Sequence, residues 1–162
     1  MDVAAWVDKV GIKVDLVFQS VITQVATYTI LATPVGNPSA WKNPPKKGTL
    51  ANSMGSGMLR ANWQLGFNSI PQTTVAIPDR SGLLTLSRVT ATSMECKAGG
   101  VAWLTNNLPY ALPIEYGSGP NPYAPHPNWH GSKQAPAGML RIAISKIEAE
   151  YNAIIAQIAG MP

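Results

Sequence analysis

The sequence predicts an α+β fold, in which a long N-terminal helix and a C-terminal helix flank a small antiparallel β-sheet with long irregular arms. Three observations carry this expectation. Valines recur every three or four residues from Val3 to Val25, apolar and polar residues alternate around Trp63, and a second helical stripe closes the chain from Leu140 onward.

The first helix is expected from about Val3 to Tyr28. Val3, Val7, Val10, Val14, Val17, Val21, Val25 and Tyr28 fall on one helical face, widened by Trp6 and Phe18. The β-branched valines and Gly11 lower the intrinsic helix propensity, so packing must hold the helix. Burying eight such side chains is worth on the order of 12–24 kcal/mol, at about 1.5–3 kcal/mol each. The stripe is therefore expected to lie on a sheet, on the other helix or on a neighbouring subunit. Thr33-Pro34 ends the helix, because a residue before proline is pushed out of the helical region.

Residues 34–57 are rich in Pro, Gly, Asn, Ser and Lys and read as an extended arm. Trp63, Leu65 and Phe67 then alternate with Asn62, Gln64 and Asn68, the pattern of a half-buried strand. Thr73 to Ile77, after the Pro71 turn, is the expected hairpin partner. Asp79 and Ser81 offer N-caps for a segment from Gly82 to about Met94, where Leu83, Leu86, Val89 and Thr90 suit a helix while the threonines leave a strand possible. Gly99-Gly100 is a break, and Val101–Thr105 a short strand. Residues 117–136 form a second irregular arm whose Pro-Asn-Pro and Pro-His-Pro runs favour extended backbone. The closing helix is expected from about Ala137 to Ala159, with Leu140, Ile144, Ile147, Tyr151, Ile154, Ile155 and Ile158 on its apolar face and Gly160 as its C-cap. All 162 residues form one domain in this reading.

Composition narrows the function classes. Cys96 is the single cysteine, which excludes an intrachain disulfide and a thiolate zinc site and fits assembly in a reducing cytoplasm. Asp2 and Asp8 interrupt the N-terminal apolar residues, so no secretory leader is expected, nor any apolar run long enough to cross a bilayer. The net charge is +4, and no acid occurs between Asp15 and Asp79, where Lys42, Lys46, Lys47 and Arg60 lie. Such a basic stretch can meet phosphate or an acidic partner surface.

Catalytic constellations are weak. His126 and His130 stand four apart, but Pro125 and Pro127 oppose the helix that would align them, and no nearby carboxylate or thiol completes a metal set. Cys96 lies in no known cysteine-enzyme context. Gly55-Ser56-Gly57 lacks the lysine-serine ending and preceding apolar strand of a phosphate loop. The eight carboxylates are spread thinly. No catalytic residue, cofactor or metal is expected.

Three stretches carry a resemblance. Thr33-Pro34-Val35 is the first, and Gly57-Met58-Leu59-Arg60-Ala61-Asn62-Trp63-Gln64 the second. The third runs from Thr105-Asn106-Asn107-Leu108-Pro109-Tyr110-Ala111 through Ile114-Glu115-Tyr116-Gly117, and continues at Ser132-Lys133-Gln134-Ala135-Pro136-Ala137-Gly138-Met139. Together they resemble a family of bacteriophage tail-completion, or neck, proteins related to the minor tail protein Z group. Two departures stand out: the family's Asp-Thr-Gly after Thr-Pro-Val is replaced by the Pro/Lys-rich stretch, and Gly119–Gly131 looks like an insertion.

The resemblance implies a non-enzymatic virion protein, assembled in the host cytoplasm and repeated in a closed ring at the head–tail neck. Its implied partners are other copies of itself, portal or adaptor proteins, and tail-terminator or tail-tube proteins, with no membrane involved. Trp41, Tyr116, Tyr123 and Trp129 are then candidate interface anchors. Lys42, Lys46, Lys47 and Arg60 are candidate contacts to DNA in the channel or to an acidic partner. A tail-tube terminator is the nearest alternative, followed by a small basic DNA-binding protein and, last, an enzyme built on Cys96 and the histidines.

Overall fold

The computed structural model describes residues 2–36, 57–116 and 135–160. In chain order the elements are α1 (Val3–Ala32), α2 (Leu59–Ala61), β1 (Trp63–Phe67), α3 (Leu83–Met94), β2 (Ala102–Asn106), α4 (Ala111–Glu115) and α5 (Leu140–Ala159). The fold is α+β, helix-rich, with a two-stranded antiparallel sheet between a long first helix and a last one.

Asp2 caps α1 through its carboxylate, which accepts from the Ala4 amide at 3.0 Å. The helix runs one turn beyond its expected end and stops at Thr33, whose extended backbone precedes Pro34. Threonines in its second half would be costly to bury unpaired. Thr23, Thr27, Thr29 and Thr33 instead each donate to the carbonyl four residues earlier, at 2.7 Å. By length and composition α1 is long and apolar enough to cross a membrane, which corrects the expectation that no such run exists. Two of its polar residues, Gln19 and Thr23, have partners in the α3 region of the fold. The Gln19 amide donates to the Cys96 and Met94 carbonyls, and the Thr23 hydroxyl lies 2.7 Å from that of Ser93 on α3.

The main core gathers Ala26 and Ile30 of α1, Leu59, Trp63, Val89, Ala111, Ala135 and Met139. From it α1 and α5 extend as an antiparallel pair. Ile147, Ile154 and Ile158 pack on Val17, Val21, Val25 and Tyr28. Near the core the Tyr28 hydroxyl donates to Glu150 at 2.8 Å, and at the far end the Lys13 ammonium donates to the Ala159 carbonyl at 3.1 Å.

The hairpin expected after β1 does not form. Thr73–Ile77 is not a strand; β1 pairs with β2, with Leu65 opposite Leu104. The physical reason lies at Gly66, where the chain folds back so tightly that a Cβ would collide with the Ser69 carbonyl and come 2.7 Å from the Pro71 ring. Gly66 and Phe67 keep their pairing with β2, and residues 73–75 return beside β1 without becoming a strand. Side chains then replace the missing ladder. The Asn62 amide donates to the Val75 carbonyl at 2.9 Å and accepts from its amide at 2.7 Å, while Gln64 donates to the Thr73 carbonyl.

The expected apolar face of α5 is also divided. Ile147, Ile154 and Ile158 are buried, but Ile144, Tyr151 and Ile155 are exposed. On α3, Leu83 and Leu84 are exposed, and the buried row is Thr85, Val89 and Ser93.

Candidate assembly surface

Described residues of the three motifs meet in space, and their polar side chains are engaged with the chain's own backbone. Thr33 sits at the end of α1, where its hydroxyl accepts from the Trp63 indole at 2.7 Å and its carbonyl accepts from Arg60. Arg60 also donates to the Arg80 carbonyl at 2.7 Å, and burial lowers its pKa. One guanidinium thus ties the carboxyl end of α1, a place of negative dipole, to the loop that leads into α3. Asn106 donates to the Leu59 carbonyl and Asn107 to those of Pro71 and Thr73.

The third motif closes a contact between α4 and the start of α5. Glu115 accepts from the amides of Met139, Leu140 and Arg141 at 2.8, 3.0 and 3.1 Å. These are the orphan donors of the first turn of α5, so the carboxylate acts as a cap supplied by another element. Arg141 reaches back to the Glu115 carbonyl and lies 3.5 Å from its carboxylate.

Of the site residues proposed from sequence, Arg60 and Tyr116 lie among the described residues. Arg60 is held by main-chain carbonyls as above. Tyr116 is half-buried, with the Arg141 guanidinium 5.4 Å from its ring centroid. Trp41, Tyr123, Trp129, Lys42, Lys46 and Lys47 fall outside the described residues, as do His126, His130, Gly55 and Ser56. Gly57 packs against the chain itself, where a Cβ would stand 2.5 Å from the Asp79 carbonyl.

The titratable groups show the same economy. Asp79 is buried; burial pushes its carboxyl up, but bonds from the Thr85 amide and hydroxyl, the Ser81 hydroxyl and the Gly82 amide outweigh it and lower the pKa. The Ala98 amide and Lys97 lower that of Asp15. Cys96 is fully buried, which raises its thiol pKa, and its sulfur lies 3.5 Å from the Thr92 carbonyl. A thiol so placed is a poor nucleophile. Among the described residues no three His, Cys, Asp or Glu gather in one place.

What the described surface does offer is apolar area on two helices. The first half of the α1 stripe has no cover among the described residues: Val3 is 73% exposed, Val7 54% and Val14 50%, with Trp6 beside them at 54%. A second open strip follows α5, where Ile144, Glu148 and Tyr151 line a shallow groove with Val25 and Ile147. Periodicity groups Ile144, Tyr151 and Ile155 with the core residues of α5. A stripe about 100° wide is what one packing partner covers on an ordinary helix, so periodicity alone cannot divide it. No family model, curated protein or solved structure matches the chain.

Proposed function

We propose that this chain is a structural subunit of a tailed-phage virion, a neck or tail-completion protein repeated in a ring where head meets tail. The observation that carries this reading is the apolar face that the described residues leave open along α1 and α5, while described motif residues such as Arg60 and Glu115 are engaged with the chain's own main chain. Large open apolar patches on soluble proteins mark interaction surfaces. The sequence resemblance supplies the setting. The protein works by shape and repetition, without a cofactor, and multivalency around the ring gives strength to contacts that are individually weak.

The test is quantitative mass spectrometry of purified particles, scaled to the major capsid protein. A low, ring-like copy number, near about six or twelve as expected of such assemblies, is the expected result. Absence from the particle overturns the reading.

The basic stretch enters the same proposal as a lining that holds DNA loosely and without base recognition. Changing Lys42, Lys46 and Lys47 together to glutamine is expected to leave particle assembly intact while altering DNA retention or ejection. Unchanged ejection kinetics would place the three lysines away from the channel. Arg60 takes no part in this test, because its substitution would disturb the end of α1.

A further inference from the structure

We propose that the projecting first third of α1 docks, antiparallel, into the α1/α5 groove of a second copy of this chain. The inference rests on the ring reading and names the contact from which such a ring would be built.

Continuity is the first argument. The face of α1 that α5 buries through Val17, Val21, Val25 and Tyr28 continues without a break through Val14, Val10, Val7 and Val3. α5 ends where Lys13 meets the Ala159 carbonyl, so about ten residues of α1, roughly 15 Å of helix, run past it. The part left without cover among the described residues is chemically the same surface as the covered part and calls for the same kind of cover.

The second argument is register. Val3, Val7, Val10 and Val14 follow one helical row, and Ile144, Glu148, Tyr151 and Ile155 follow a row of identical spacing, each about 16 Å long. Laid antiparallel, Val3 meets Ile155, Val7 meets Tyr151, Val14 meets Ile144, and Val10 stands opposite Glu148. That alignment sets the exposed Lys9, next to Val10, beside the carboxylate of Glu148. A parallel alignment brings Val7 and its neighbour Asp8 to Glu148 instead, which sets like charges together.

Geometry then requires that an α1 extension seated in this groove come from another molecule. Val3 and Val25 lie on one continuous helix, about 33 Å apart, so a chain cannot fold its own extension into its own groove. The two surfaces differ, which makes the contact heterologous, the kind that closes into rings.

The full-length protein tests this by sedimentation velocity. One variant carries Val7→Asp with Val10→Asp, the other Ile144→Asp with Tyr151→Asp; all four positions are exposed, and circular dichroism checks that both variants fold. The wild type is expected to associate beyond a dimer. Each variant alone is expected to lose self-association by at least about thirtyfold in affinity. An equimolar mixture should form a dimer and stop there, because one intact extension meets one intact groove. A wild type that stays monomeric throughout overturns the proposal. So does continued association of the groove variant alone, which would mean that α1 pairs with α1, and so does flotation of the wild type with phosphatidylcholine/phosphatidylglycerol vesicles in place of self-association. Particle mass spectrometry reads the neck assignment independently, so the failure of either idea is distinguishable from failure of the other.

Discussion

Replacing Asp79 by alanine is expected to cost about 4 kcal/mol of folding stability, a large part of the 5–15 kcal/mol that holds a typical domain together. The carboxylate is 5% exposed and accepts four hydrogen bonds: the Gly82 and Thr85 amides at 2.8 Å, and the Ser81 and Thr85 hydroxyls at 2.9 Å. Two of these donors are amides at the start of α3, which no other group in the turn can satisfy. Bonds to a charged acceptor are worth about 1.5–3 kcal/mol, and buried donors left without a partner lose their hydration as well. The amide oxygen of Asp79→Asn retains part of the set, so that variant should lose about half as much.

The same residue gives a pH test with a definite sign. Because the folded pKa of Asp79 lies below its ordinary value of 3.8, its stabilisation is fully present above that pH and is lost as pH falls through the folded value. The stability gap between wild type and Asp79→Asn should thus be constant near neutrality and narrow below about pH 4. Urea titrations across that range measure it. A gap independent of pH would mean that the carboxylate is not preferentially ionised in the folded state.

The second large effect is expected at Gly138. Its φ is +85°, and an added Cβ would collide with the Glu115 carbonyl oxygen and stand 2.7 Å from its carboxylate. Gly138→Ala therefore incurs a left-handed backbone, worth about 1–2 kcal/mol, and also pushes away the residue that caps α5. Together these should cost about 3 kcal/mol, with overpacking of this kind adding about 1–3 kcal/mol to the backbone strain. Gly99 provides the control. Its φ is +91°, and a Cβ there meets nothing within 4 Å, so Gly99→Ala should lose only the backbone part, about 1–2 kcal/mol. Equal losses at the two glycines would show that the packing of Glu115 against Gly138 contributes nothing.

Much of the fold is legible in the amino-acid sequence itself. The valine row sets α1, the Thr33-Pro34 pair sets its end, and Asp79 with Ser81 sets the start of α3. Alternation around Trp63 locates β1, and Gly99-Gly100 precedes β2 as expected. These features follow from nearest-neighbour sterics and helical or strand periodicity, which act within a few residues.

Tertiary structure decides the rest. The partner of β1 is β2, while the side-chain amides of Asn62 and Gln64 hold the segment that returns beside it. The role of Glu115 cannot be read locally, since the amides it caps belong to residues more than twenty positions later. Arg60, grouped by sequence with three lysines, is instead drawn to carbonyls from two other segments. The division of each helical stripe into a covered and an open half is likewise invisible to periodicity. A repeat of 3.6 residues fixes which side chains share a face; only the relative lengths and placement of α1 and α5 determine how much of that face the two helices bury against each other.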